Sequence, residues 1–380
     1  MASDDLQFHA FCLTETGSRL DQYARAIALS VRHGDVVVDL GAGTGILSFL
    51  ACAAGARRVY AIEASDAIRY GEILASARGV EGRVRFIHSP SSQVTLPERA
   101  DVIVGDIHDT FGLQATGLGT FLDARDRFLE PGGILIPSSI QLLVAPVEAH
   151  DLYRKTVGIW QQQIQGVDLS PLRALAVNHC HAARFQPAQL IAAPSPVSEI
   201  ALITMSGLHA GGTVRFGASR AGTLHGVCGC FVTTLAEGVV MGNVPGDSST
   251  TNFAQAFFPI ETPQAIAEGD VISIRIDAFD GSQVRWRVEI TPREGRRAAC
   301  FDHSTFHSAP VSADALEKRA GEYHPQLKAR GAMEHALLER FDGTASAAEL
   351  ERWLIERFGE QLPSAREAAA FLKATIERCG

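Results

Sequence analysis

Val36-Val-Val-Asp39-Leu-Gly41-Ala-Gly43-Thr-Gly45-Ile46-Leu47-Ser48 is the stretch that decides the fold. A short β-branched apolar run reads as a buried strand, three glycines at alternate positions permit a tight turn, and the apolar ILSFLACAAG at 46–55 reads as a helix. A strand that runs through glycines into a helix N-terminus brings open backbone and free N–H groups up to a ligand. The dinucleotide fingerprint G-x-G-x-x-G/A needs a small third residue, and counting from Gly41 and Gly43 that place holds Ile46. The spacing that fits is G-x-G-x-G with an acidic residue two places ahead, Asp39, and a second, Glu63, at the end of the next strand, VYAIE. A carboxylate in that place accepts two hydrogen bonds from a ribose diol. This is the pattern of an S-adenosylmethionine site, with Asp39, Gly41, Ala42, Gly43, Thr44, Gly45, Ile46, Leu47, Glu63 and Ala64 as the residues against the cofactor.

Outward from this turn, short apolar runs alternate with helical stretches from Asp35 to Ser138: RVRFI at 83–87, ADVIVGD at 100–106, FLDARDRFL at 121–129 and GILIP at 133–137. Strands linked by crossover helices predict a doubly wound, seven-stranded-type Rossmann-like domain over 35–138, after a helical segment at 1–34. Past Pro137 the period becomes two. Residues 271–278 and 283–290 alternate strictly around a turn at Gly281, the pattern of an antiparallel hairpin, and runs at 140–147, 198–205, 212–218 and 223–234 add strands. A β-barrel-like domain is therefore predicted over 139–300, interrupted by a Gln-rich insertion at about 151–190. Helical spacing over 332–357 and 364–378 puts Leu337, Leu338, Phe341, Leu350, Leu354 and Phe358 on one stripe, read as packing within a helical or winged-helix-like extension at 301–380.

The composition agrees with several packed units, since 380 residues exceed one ordinary core and 46% hydrophobic with 20% charged excludes a disordered chain. A net charge of −9 argues against a broad grip on nucleic-acid phosphates. The start of the chain is acidic, and no apolar run approaches the roughly eighteen residues of a spanning helix, so a cytoplasmic protein without a membrane partner is expected. Seven cysteines without a CxxC pair predict reduced, mostly buried thiols; Cys228 and Cys230, alternate along a strand, share one core face. Asn178-His-Cys-His181 has no second ligand cluster to complete a structural metal site, and no metal is expected.

Residues 12–295 resemble the protein arginine methyltransferase family. VVVDLGAGTGILS and VYAIEAS are similar to that family's first motif and ribose-binding strand, and Arg19 with Tyr23 matches an Arg-x-x-x-Tyr pair whose arginine binds the methionine carboxylate of the cofactor. Ile87-His-Ser-Pro-Ser91-Ser92-Gln-Val resembles the segment along adenine, with Ser92 where the family carries glutamate. Thr120-x-Leu-x-Ala-Arg-Asp126 and the stretch from Leu129 to Pro137 resemble the end of the nucleotide domain. Trp160, Gly166, Asp168 and Ser170 resemble the beginning of the family's dimerisation arm, which implies that 151–190 is that arm and the chain a homodimer. Thr251-Asn252-Phe253 stands where the family has Thr-His-Trp, and Glu268-Gly-Asp-Val-Ile-Ser resembles its last barrel hairpin. The resemblance implies the same two-domain plan, S-adenosylmethionine as cofactor and S-adenosylhomocysteine as product. It adds Arg19, Ser91, Ser92 and Thr120 to the cofactor contacts and places Tyr23, Asn252 and Phe253 near the acceptor; His303, in Asp302-His-Ser-Thr-Phe-His307 just after the barrel, is read from its position alone, either reaching back toward the acceptor or satisfying backbone groups at a domain junction.

The departures fall on the acceptor side. A guanidinium, with a pKa above about 12, is oriented in the family by two glutamates at the ends of the loop after the fourth strand. Here that loop reads Gly105-Asp106-Ile-His108-Asp109-Thr-Phe-Gly-Leu-Gln114-Ala115, so the glutamates become Asp106 and Ala115, and the Thr-His-Trp histidine becomes Asn252. We therefore read a methyltransferase acting on a non-arginine acceptor, a peptide or small natural-product intermediate. Asp106, His108 and Asp109 are its catalytic candidates, with His108 or Asp106 taking a proton from a hydroxyl, imidazole or amide. Two other readings stay open: an arginine N-methyltransferase with an acidic loop rebuilt on Asp106 and Asp109, and a catalytically silent cofactor-binding scaffold or activator.

Overall fold

The computed structural model describes residues 17–113, 116–247, 251, 253–279, 283–293 and 297–379. The chain divides into two compact units, Met1–Pro310 and Val311–Gly380.

In the first unit, α1 (Gly17–Ser30) precedes β1 (Val36–Leu40), α2 (Ile46–Ala54), β2 (Arg58–Glu63), α3 (Ile68–Arg78), β3 (Val84–His88), β4 (Ala100–Gly105), α4 (Gly117–Phe128) and β5 (Leu129–Ile136). The five strands form one parallel sheet in the order β3-β2-β1-β4-β5. β1 lies between β2 (Val37↔Val59) and β4 (Val37↔Val102) and is buried along its whole length, which is why VVVDL is a continuous apolar run rather than an alternating one. Because its two neighbours are reached by crossovers in opposite directions, a crevice opens at the carboxyl ends of β1 and β4. The turn into it is made by Gly41 and Gly43, whose φ of 71° and 51° belongs to the left-handed region. Among the described residues no sixth or seventh strand joins this parallel sheet; after β5 the chain passes into antiparallel sheet.

That part begins with β6 (Ser139–Val147). The insertion then supplies α5 (His150–Thr156), the two-residue strands β7 (Gln163–Ile164) and β8 (Val167–Asp168), and α6 (Arg173–Val177). β9 (His181–Ala183), β10 (Ser195–Ala201), β11 (His209–Gly217), β12 (Gly222–Ala236), β13 (Val239–Gly242), β14 (Gln255–Ile266), β15 (Val271–Phe279), β16 (Gln283–Thr291) and β17 (Ala299–Ser304) complete it. One sheet runs β10-β6-β12-β14-β9 with β13 on β12, the other β11-β15-β16-β17. Ile272, Ile274 and Ile276 of β15 and Trp286, Val288 and Ile290 of β16 turn inward against Leu142, Phe231 and Phe258 of the facing sheet. The hairpin register runs from Val271↔Thr291 to Phe279↔Gln283, while the turn at Gly281 lies outside the described residues. No ladder joins the two sheets among the described residues, so the unit is barrel-like without being a closed barrel.

One boundary differs from the sequence reading. β17 pairs with β16 (Val288↔Phe301, Trp286↔His303), so the sheet runs past residue 300 to Ser304. In the second unit α7 (Ala313–Glu317), α8 (Ala329–Leu338), α9 (Ala347–Phe358) and α10 (Ala365–Cys379) carry no strand among the described residues, and the module is helical rather than winged. Leu337, Leu350, Leu354, Phe371 and Leu372 form its core, whereas Leu338 stays partly exposed. α9 starts with a capping box, Glu349 N–H donating to Ser346 Oγ and Ser346 N–H to Glu349 Oε2 at 2.8 Å. No described helix is long and apolar enough to cross a membrane.

Candidate active site

A cavity of about 1060 Å³ opens over the carboxyl ends of the parallel strands. Of the residues expected to meet the cofactor, Arg19, Gly41, Ala42, Gly43, Thr44, Ile46, Leu47, Glu63, Ala64, Ser91, Ser92 and Thr120 line it. Glu63, at the end of β2, is held on both oxygens: Gly43 N–H donates to Oε2 at 3.0 Å and Ser65 N–H to Oε1 at 2.8 Å. A carboxylate fixed this way keeps lone pairs toward the cavity for a diol. A Cβ built on Gly41 would meet nothing within 4 Å, so the backbone there faces open space.

Two expected contacts lie beneath the lining instead. Asp39 is fully buried under the glycine turn, where its Oδ2 accepts a hydrogen bond from Ser48 Oγ at 2.6 Å and its Oδ1 has no partner. Burial pushes its carboxyl up to about 6, against the hydrogen bonds from Ser48 and with a further push from the Glu63 charge. Gly45 does not reach the cavity: its φ of 78° starts α2, and a Cβ there would stand 3.2 Å from the Phe49 ring.

On the other side of the cavity stand Asp106, His108, Asp109, Tyr23 and Phe253. Asp106 follows β4 and is gripped twice, by Arg19 Nη1 on Oδ2 and by His108 Nδ1 on Oδ1 at 2.8 Å. Burial pushes its carboxyl up, but the hydrogen bond and charge of His108 and the charge of Arg19 outweigh burial and hold it below the ordinary carboxylate range. Asp106 is thus a fixed anion. Asp109 is exposed in the same cavity, with Oδ1 accepting from Thr110 N–H at 2.6 Å.

Three expectations about this side are corrected. The His108 ring is fully enclosed, with Nδ1 on Asp106, Nε2 2.8 Å from Thr233 Oγ1 and its face stacked 5.2 Å from Phe231, so it has no nitrogen left to take a proton from an acceptor. Tyr23 is buried and its hydroxyl is committed to the Gly105 carbonyl at 3.0 Å, which ties α1 to the end of β4 rather than to a substrate. His303 lies on β17 against Trp286, ring centroids 5.5 Å apart, and does not line the cavity. Asn252, Gln114 and Ala115 lie outside the described residues.

Residues that the sequence did not single out hold the loop in place. Asn243, fully buried after β13, donates through Nδ2 to Thr110 O at 2.9 Å and Ala254 O at 2.8 Å, and accepts from Phe231 N–H at 2.8 Å. Gly112 takes φ +77°, and a Cβ there would come within 2.9 Å of Phe231 Cβ. Among the described residues, the cavity lining carries Glu63, Asp106, Asp109 and Asp123 against the single guanidinium of Arg19, and only Asp123 has its charge answered from outside, by Arg127. Such a site favours positive charge. A second hollow, of about 500 Å³ on the outer face of β11, β15 and β16, is a solvated ion-pair network in which Arg275, Arg285 and Arg287 are held by Asp277, Asp302 and Glu289.

A family model described as "Arginine methyltransferase oligomerization subdomain" matches residues 138–291, and one described as "Ribosomal protein L11 methyltransferase (PrmA)" matches residues 16–143. The chain is 37% identical over 161 residues to the probable protein arginine N-methyltransferase 6 of Arabidopsis thaliana, 42% of this chain and 37% of that relative. It is 31% identical over 275 residues to the probable histone-arginine methyltransferase CARM1 of Oryza sativa subsp. indica, 68% of this chain and 52% of the relative. The chain thus spans about half or less of the length of these relatives. A chain of the Trypanosoma brucei PRMT1 enzyme-prozyme heterotetrameric complex with AdoHcy superposes with a TM-score of 0.70 at 20% identity, over 78% of this chain and 96% of that one. Protein arginine methyltransferase 10 of Arabidopsis thaliana gives 0.66 at 22% identity, over 78% and 97%. At these identities the structural likeness is one of fold. With the parallel sheet carrying one matched segment and the antiparallel sheets the other, the chain is similar to arginine-methyltransferase-like class I methyltransferases across residues 16–291.

Proposed function

We propose that the chain transfers a methyl group from S-adenosylmethionine to a cationic nitrogen, the guanidinium of an arginine in a peptide, using an acidic loop rebuilt on Asp106 and Asp109. The residues present suit the cofactor: Glu63 for the ribose diol, Arg19 for the methionine carboxylate, and Gly41 and Gly43 for close approach. When bound, the cofactor supplies an electrophilic methyl on a sulfonium centre. The chain then has to align the acceptor nitrogen with that methyl and offset the acceptor's charge. Asp109 projects one unpaired carboxylate oxygen into the cavity, and Asp106 stays ionised beside it. The observation that carries this reading over a neutral acceptor is the acidic lining, in which, among the described residues, Glu63, Asp106 and Asp109 face one guanidinium of the chain's own, Arg19; the proton that an acceptor guanidinium gives up as its nitrogen is methylated passes to the exposed Asp109 carboxylate.

The test offers arginine-rich peptides beside histidine-, hydroxyl- and carboxylate-bearing ones and records methylated mass. Transfer to arginine, lowered on the order of tenfold to a thousandfold by Asp109→Asn, is expected from loss of a charged partner. Transfer only to a neutral side chain would restore the non-arginine reading, and no release of S-adenosylhomocysteine with any peptide would point to a scaffold.

We also propose a two-fold homodimer built through the insertion at 151–190. Ile164, Val167 and Leu172 there are exposed, which a surface loop does not need and an interface does. We further assign 35–138 to cofactor binding, the antiparallel part to acceptor support, and no role to nucleic acid or membrane.

A further inference from the structure

We infer that His108, backed by Thr233, is a positioning residue that fixes the Asp106 carboxylate in the acceptor site. The activity readout of this inference rests on the guanidinium reading above; its spectroscopic readout does not.

Asp106 sits just beyond β4, where no ladder holds the backbone. A long backbone contact, His108 N–H to Oδ1 at 3.4 Å, adds little direction, so the aim of its carboxylate depends chiefly on its two side-chain partners. One of them, Arg19, is also the cation nearest the cofactor tail in the proposed function, so its hold on Oδ2 is shared with that ligand. The other partner, His108, touches nothing but protein. An ionised carboxylate only accepts, so the nitrogen facing Asp106 Oδ1, Nδ1 at 2.8 Å, carries a proton. The opposite nitrogen is held 2.8 Å from the Thr233 hydroxyl, which is fully buried on β12, and the ring lies flat on Phe231 of the same strand at an interplanar angle of 17°. A residue two positions after the carboxylate thus reaches into the antiparallel sheet and returns a directed donor. Such a partner keeps the carboxylate aimed whether or not Arg19 is engaged elsewhere, as outer-shell hydrogen bonds fix the geometry of active-site carboxylates.

A merely structural His108 would fill space on Phe231 and no more. His108→Phe keeps that stack and removes both hydrogen bonds; His108→Asn restores a donor toward Asp106 and gives up the stack. For methyl transfer to an arginine peptide, kcat/KM should fall roughly tenfold to a hundredfold in His108→Phe, return to within about fivefold of wild type in His108→Asn, and lie between in Thr233→Val. Selective 15N-histidine labelling of the wild-type chain should show Nδ1 of His108 protonated, with its proton resonance moved by Asp106→Asn. Wild-type kcat/KM in His108→Phe, no recovery in His108→Asn, or an unprotonated Nδ1 in the wild type each overturns the inference. If the wild-type chain methylates no arginine peptide, the guanidinium reading falls, and the Nδ1 resonance with its response to Asp106→Asn still decides the role of His108.

Discussion

Two buried or half-buried carboxylates behave in opposite ways, and each sets its own test. Glu63 is exposed enough to meet a ligand and is already aimed by two backbone donors. Glu63→Ala should weaken S-adenosylhomocysteine binding by about 1–3 kcal/mol, read by calorimetric titration, as for charge-assisted hydrogen bonds lost from a ligand. Unchanged affinity would remove Glu63 from the diol. Asp39 is enclosed, and its carboxyl titrates near 6 instead of the ordinary 3.8. Between about pH 4 and 6 the folded chain holds a proton that the unfolded chain has released, so stability falls as pH rises through that window and stays low above it. Asp39→Asn should therefore raise the stability of the ligand-free protein by about 2–3 kcal/mol above pH 7 and by little at pH 4, followed by denaturant unfolding at both pH values. Equal gains at both would show that the effect is not the charge.

At the scale of elements, the loop after β4 depends on a conformation that only glycine adopts cheaply. Gly112→Ala would put a methyl at φ +77° within 2.9 Å of Phe231, and should lower stability by about 1–3 kcal/mol in urea unfolding; a midpoint equal to wild type would mean that the loop rests elsewhere. The central parallel strands β1, β2 and β4 were legible because each is a largely buried apolar run, and the β15–β16 hairpin because its inward isoleucines and valines alternate with charge. β14 was not, since Pro259 and Pro263 interrupt it; its ladder to β12 skips register between Leu224 and Gly226. The Gly-x-Gly-x-Gly turn and Glu63 could be named from local spacing, and the Asp106–Asp109 loop from the family resemblance. The direction of the His108 ring could not, because Thr233 is 125 residues away, nor could the anchorage of Thr110 by Asn243 across 133 residues. Contacts of that range leave no periodic trace in the chain.

At the scale of the molecule, the apolar tip of the insertion is the surface that the proposed dimer would cover. If it meets a second copy, light scattering should give twice the 40.7 kDa of the chain, and replacing both Ile164 and Val167 by Asp should return the mass to one chain by burying charge in the interface. A monomeric wild-type chain at micromolar concentration would contradict the dimer.

The hydrogen bond from the Tyr23 hydroxyl to Gly105 O joins the first described helix to the strand from which the acceptor loop springs. One helical turn before it, Arg19 reaches the carboxylate of that loop. Fraying of α1 therefore withdraws Arg19 and loosens Asp106 together, and a ligand gripping Arg19 slows that fraying in turn. Solvent exchange of the amide hydrogens along Gly17–Ser30 thus becomes a clock for occupancy, readable without knowing the acceptor.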